Sequence, residues 1–127
     1  MNAAAPPLKL LIVDDSNIIR RRIARSPAIE RLSVVGAAAN GIEAIRLCAE
    51  TDPDVVTMDL TMPEMGGVEC VERLVAMKPK LLILVVSALA DKATAVEAIR
   101  RGANGFLCKP FTDRQLDEAL SELLGGH

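Results

Sequence analysis

The chain has 127 residues, half of them hydrophobic and a quarter charged, with a net charge of −2. This is the composition of one soluble globular domain, and the charge argues against a general nucleic-acid-binding surface. Phe106 and Phe111 are the only aromatics, so the core must be aliphatic and nothing is available to stack on bases or sugars.

No apolar run reaches the ~18 residues of a membrane span. Residues 1–7 lack the basic start and apolar run of a signal peptide. A cytoplasmic protein is expected, with loose tails at 1–7 and 125–127 around one domain at 8–124. Cys48, Cys70 and Cys108 lie far apart with no CxxC pair, and the single histidine is His127. The cysteines therefore read as core side chains in a reducing compartment, not as metal ligands.

Short apolar runs alternate with amphipathic stretches along the chain. Leu8–Val13 is the first expected strand, followed by Asp14 and Asp15. Ser16 caps a helix that turns Ile19 and Ile23 to one side, with Arg20, Arg21, Arg22 and Arg25 mostly facing water. Pro27 helps to end that helix, and Leu32–Ala38 is the second strand. Asn40 opens the second helix, with Glu43 spaced for a capping box and Asp52-Pro53 as the stop.

The third strand is expected over 54–59, and a third helix over Gly67–Met77 closed by Pro79. A fourth strand over 81–86 precedes a helix over 91–101 that terminates at Gly102. The fifth strand, 105–108, leads to Lys109-Pro110. Thr112 and Gln115 then form a capping box for a last helix carrying Leu116, Ala119, Leu120 and Leu123. Continuously apolar strands joined by helices through short links imply a doubly wound α/β domain, a parallel sheet covered on both faces.

In a parallel sheet all strands end on the same edge, and ligands bind there at a topological switch point. Asp14 and Asp15 follow the first strand, Asp59 the third, Ser87 the fourth and Lys109 the fifth. The second strand runs out into Ala37-Ala38-Ala39, which suits the edge of the sheet. Three carboxylates in one crevice repel unless a cation sits among them. Oxygen donors without His or Cys select a hard cation, and so few carboxylates suit Mg²⁺ better than a Ca²⁺ cage. Ser87 and Lys109 are suitable donors to a phosphoryl group that shares the ion. The equipment is that of phosphoryl transfer, with Asp59 the best placed nucleophile.

Taken singly, each residue has a plainer reading. Asp14-Asp15 is a helix-capping turn, Ser87 a cap of the fourth helix, Lys109-Pro110 a loop and Asp59 a turn residue. Their joint arrival at the ends of parallel strands is what favours a site.

These residues resemble the receiver domain of bacterial response regulators. The resemblance runs from about Leu8 to Leu124 through Asp14-Asp15, the loop from Asp59 to Gly67, Ser87-Ala88 and Lys109-Pro110-Phe111. It implies a flavodoxin-like (βα)5 domain with strand order 2-1-3-4-5, of the single-domain type found among chemotaxis regulators. It also implies that Asp59 accepts a phosphoryl group from a phosphohistidine. Asp15, Asp59 and the Thr61 carbonyl would bind Mg²⁺ directly, with Asp14 assisting, and Ser87, Lys109 and the Ala88 N–H would hold the phosphoryl oxygens. Ser87 and Phe106 would form the switch, and Lys109-Pro110 would be cis.

The family resemblance implies a sensor histidine kinase or histidine phosphotransfer protein as donor and a downstream protein such as a flagellar motor component as target. No nucleic acid or membrane is expected as a partner. The chain would be a switch and not an enzyme on external substrates. A phosphorelay intermediate and a receiver excised from a transcription factor or methylesterase are alternatives. A small phosphatase is disfavoured because Thr61, not an acid, stands two residues after Asp59. An FMN domain is disfavoured by the acidic crevice. Three positions depart from the commonest family pattern: Phe106 where Tyr is found in chemotaxis regulators, Gly66 in place of a capping Asp, and an apolar Leu89 beside the path of attacking water.

Overall fold

The computed structural model describes residues 6–26 and 31–125. The expected helix-ending role of Pro27, and most of both tails, lie outside the described residues. Five strands, β1 (Leu8–Val13), β2 (Leu32–Ala38), β3 (Val55–Met58), β4 (Leu82–Ala88) and β5 (Gly105–Lys109), alternate with five helices. These are α1 (Asn17–Ala24), α2 (Gly41–Thr51), α3 (Gly67–Met77), α4 (Lys92–Arg100) and α5 (Asp113–Gly125). The sheet is parallel throughout, in the order β2-β1-β3-β4-β5.

Strand side chains alternate between two aliphatic layers, which is why the strands read as unbroken apolar runs. Leu11, Val13, Val56, Met58, Ile83 and Val85 face one layer, closed by α2, α3 and α4 through Ala44, Cys48, Val71, Leu74, Ala95 and Ala98. Leu10, Ile12, Val55, Leu84 and Val86 face the other, closed by α1 and α5 through Ile23, Leu116, Leu120 and Leu123.

Capping follows the expected chemistry. The Ser16 hydroxyl accepts from the Ile19 N–H at 3.3 Å, and the Asn40 side chain accepts from the Glu43 N–H at 2.8 Å. Thr112 and Gln115 form the reciprocal pair: the Thr112 N–H donates to Gln115 Oε1 at 2.9 Å, and the Gln115 N–H donates to Thr112 Oγ1 at 3.1 Å. Gly102, with φ +123, lies just beyond the C-terminus of α4.

Gly66 stands at the N-cap of α3 with extended backbone (φ −63, ψ 149) and no side-chain cap bond. A Cβ there would meet nothing within 4 Å. Gly66→Asp is therefore expected to stabilise the domain by about 1 kcal/mol, by satisfying a free N–H of the first turn and stiffening the unfolded chain. Urea denaturation measures it; an unchanged midpoint would show that the cap is not formed.

Candidate functional site

The register of the central strands assembles the site. Val13 pairs with Met58, and the Asp59 N–H donates to the Val13 carbonyl at 2.9 Å. Asp14 and Asp59 thus leave neighbouring strands side by side. The pairing of Ala88 with Lys109, and of Ser87 with Cys108, sets the fourth and fifth strand ends against each other in the same way. The chain leaves β1 toward β2 and returns to β3 on the other side, so the crevice opens where the sheet order reverses.

Asp14 and Asp59 are each only 1% exposed and Ser87 is fully buried, whereas Asp15 and Thr61 reach the surface. One carboxylate oxygen from each of Asp14, Asp15 and Asp59 falls within 4.8 Å of the others. Both Asp14 oxygens are engaged: Oδ1 accepts the Ser16 N–H at 2.8 Å, and Oδ2 meets Lys109 Nζ at 2.8 Å. Lys109 Nζ lies farther from Asp59 Oδ1, at 3.6 Å. The same Asp59 oxygen accepts the Thr61 N–H at 3.2 Å and the Thr61 hydroxyl at 3.3 Å. The Lys109-Pro110 bond is cis.

The electrostatics follow from this crowding. Burial pushes the Asp59 carboxyl up from 3.8 to about 6, and the charge of Asp14 adds to the rise, while Lys109 and the Thr61 N–H pull the other way. Burial alone would lower the Lys109 ammonium, but its hydrogen bond and ion pairing with Asp14 and the nearby Asp59 more than offset that and raise it. A second cation among these oxygens would relieve the repulsion that Lys109 leaves uncompensated. The donor set is all oxygen, with surface access through Asp15, which fits a hard divalent ion that keeps part of its water shell.

The sequence profile of the response regulator receiver domain matches residues 10–121. The chain belongs to that family. This receiver domain is 40% identical over 115 residues to the chemotaxis protein CheY of Listeria monocytogenes, covering 91% of this chain and 97% of that protein. It is similar to the crystal structure of the response regulator domain of Thermotoga maritima CheB, at 34% identity with a TM-score of 0.79 over 93% of this chain and 94% of that one. It also matches a CheX-CheY-BeF3-Mg²⁺ complex from Borrelia burgdorferi, at 26% identity and a TM-score of 0.85, covering 92% of this chain and 89% of that one. The family places the chain in two-component signalling.

Within the receiver, Phe106 is half-buried on β5 and packs against the layer closed by α2, α3 and α4. Met65, in the loop after Asp59, is buried in that layer and Met62 packs on it. Leu89 is 67% exposed at the start of a 3-10 turn, Leu89–Asp91.

The arginine run resolves into separate roles that its composition did not reveal. Arg20 donates from Nη1 to the Asp14 carbonyl at 2.7 Å and so ties the acidic loop to α1. Arg22 lies 4.9 Å over the Phe111 ring and 3.5 Å from Asp113, while Arg21 and Arg25 are exposed. A second unanticipated partner is Asp91, whose Oδ2 accepts from the Ser87 hydroxyl at 3.4 Å. Of the cysteines only Cys108 neighbours the site, preceding Lys109 on β5 with its Sγ 3.3 Å from the Lys109 carbonyl oxygen. Cys48 and Cys70 are buried on α2 and α3, and burial pushes the Cys70 thiol up to about 12.

Proposed function

We propose that this receiver is a phosphorylation-dependent switch. An Asp59 carboxylate oxygen attacks the phosphorus of a phosphohistidine, the donor's P–N bond breaks, and the imidazole leaves with the bonding pair and takes up a proton. The product is an acyl phosphate on Asp59. The observation that carries this reading is Lys109, whose ammonium lies between the buried Asp14 and Asp59 carboxylates, where the phosphoryl oxygens of such a product would need a cation.

Asp15, Asp59 and the Thr61 carbonyl would hold Mg²⁺, with Asp14 fixing Lys109 and the loop beside it. The ion would neutralise the carboxylates and the charge on the transferring oxygens. The Ser87 hydroxyl, the Ala88 N–H and Lys109 would bind the phosphoryl oxygens. Asp59 begins partly protonated near neutrality because it is buried, and Lys109 and Thr61 favour the anionic, nucleophilic form. The chain acts on its own acyl phosphate and not on external substrates.

The donor would be a sensor histidine kinase or a histidine phosphotransfer protein, docking on the α1 face, where Ile18 is 77% exposed beside Arg21 and Arg25. Chemotaxis is the favoured setting because the relative from Listeria monocytogenes carries that name over nearly its whole length. The output partner would be a downstream signalling protein such as a flagellar motor component, in the cytoplasm. Among the described residues no helix is long and apolar enough to cross a membrane.

The test is binding of beryllofluoride with Mg²⁺. The chain has no Trp or Tyr, so fluorine NMR or calorimetry serves in place of intrinsic fluorescence. Saturable binding to the wild type and none to Asp59→Asn is the expected result; equal binding by both would overturn the reading. Lifetime offers a separate check. Leu89→Glu is expected to speed acyl-phosphate hydrolysis by roughly tenfold, because a carboxylate there can orient the attacking water. An unchanged rate of loss of radiolabel would count against a role for this position.

A further inference from the structure

Ser87 is fully buried, and its hydroxyl has one proton to donate. That proton points to Asp91, with Oγ 3.4 Å from Asp91 Oδ2. While the bond lasts, the hydroxyl cannot donate to a phosphoryl oxygen. Asp91 itself is unusual. It occupies the N-cap of α4, where an aspartate ordinarily accepts an N–H of the first turn, yet it makes no side-chain cap bond. Its backbone, at φ −101 and ψ 20, departs from the extended conformation that usually accompanies such a cap. The carboxylate has given up the helix end and is half-buried against the serine instead.

We infer that Asp91 is a positioning residue that holds the Ser87 hydroxyl away from the phosphoryl site, so that occupancy of the site must first break this bond. The inference rests on the reading of Asp59 as phosphoryl acceptor and deepens it. Loss of the bond frees the carboxylate beside the N-terminus of α4, so the serine's change of partner is felt at that helix. The bond is long, which limits its strength. Removing it shifts affinity by a modest factor and does not create or abolish binding.

The experiment is a double-mutant cycle of wild type, Asp91→Ala, Ser87→Ala and the double variant, read as affinity for beryllofluoride with Mg²⁺. Asp91→Ala is expected to tighten binding about fivefold in the Ser87 background. In the Ser87→Ala background it should have a markedly smaller effect, because only the loss of a nearby negative charge remains. An equal gain in both backgrounds would mean that Asp91 acts through charge alone, and no gain would mean that it restrains nothing; either overturns the inference.

Urea unfolding of the same four proteins without ligand reads the bond directly. The effects of the two substitutions on the unfolding constant should fall short of additivity by about fivefold, and strict additivity would also overturn it. Failure of beryllofluoride to bind the wild type would overturn the phosphoacceptor reading instead. The ligand-free cycle then still decides whether Asp91 holds Ser87.

Discussion

Asp59→Asn is expected to abolish phosphoryl acceptance while making the metal-free protein more stable at neutral pH, by on the order of 2 kcal/mol after allowance for solvent screening at the crevice mouth. The Asp59 carboxyl sits at about 6 in the fold against an ordinary 3.8. Between those values the native state binds more protons than the unfolded state, so its stability falls as pH rises through that window. Well below pH 4 the carboxyl is neutral in both states and the wild type carries no penalty from it. Well above pH 6 the whole penalty is present, because the charge is then fully formed and buried beside Asp14. The asparagine variant has no such titration, so the stability difference between the two proteins should open between pH 4 and 6 and then level off.

Mg²⁺ should narrow the gap by binding the folded wild type. Urea unfolding of both proteins across this pH range, with and without Mg²⁺, tests each part. A variant less stable than wild type at pH 7 without metal would contradict the electrostatic account. Phosphorylation retained by the variant would contradict the assignment of the acceptor.

Gly67→Ala is expected to cost about 3 kcal/mol. A Cβ at this position would lie 2.5 Å from Leu60 Cα, 2.7 Å from Leu60 Cδ2 and 3.0 Å from the Asp59 carbonyl oxygen. The closest of these atoms belongs to the backbone, so no side-chain rotation relieves the clash. The first turn of α3 must then move away from the end of β3, taking the Asp59–Thr61 geometry with it. Both the denaturation midpoint and Mg²⁺ affinity should fall. A midpoint unchanged from wild type would mean that the loop yields without cost. The contrast with Gly66 is informative: adjacent glycines carry opposite expectations because one faces open space and the other a neighbouring backbone.

The sheet and the main site residues were legible for one physical reason. Strands buried on both faces are written as unbroken apolar runs, so the polar residue that ends each run marks the binding edge. That logic brings Asp14, Asp59, Ser87 and Lys109 to one edge of the sheet from the sequence alone. It was less exact on boundaries. β4 runs on through Ser87 and Ala88 because they pair with Cys108 and Lys109 on β5, a tertiary constraint that local polarity conceals. β3, expected over 54–59, is shorter as a strand, although Asp54 and Asp59 continue its hydrogen bonding through their N–H groups to Lys9 and Val13.

Side-chain partners were the part that the sequence concealed. Arg20 and Arg21 are indistinguishable in a basic run, and only the path of the loop gives the Asp14 carbonyl to the first of them. Asp91 looks like an ordinary helix cap, and its actual partner depends on the 3-10 turn that separates β4 from α4.

The central claim is that Asp59 carries the phosphoryl group, and intact-mass analysis after incubation with a small phosphodonor tests it most directly. With Mg²⁺ the wild type should gain the mass of a single phosphoryl group, in a form cleaved by hydroxylamine as an acyl phosphate is, and peptide mapping should place it on Asp59. Chelating the metal should suppress the gain, and Asp59→Asn should show none. A phosphoryl group of the same yield on Asp59→Asn, or no modification of the wild type under any of these conditions, would contradict the account.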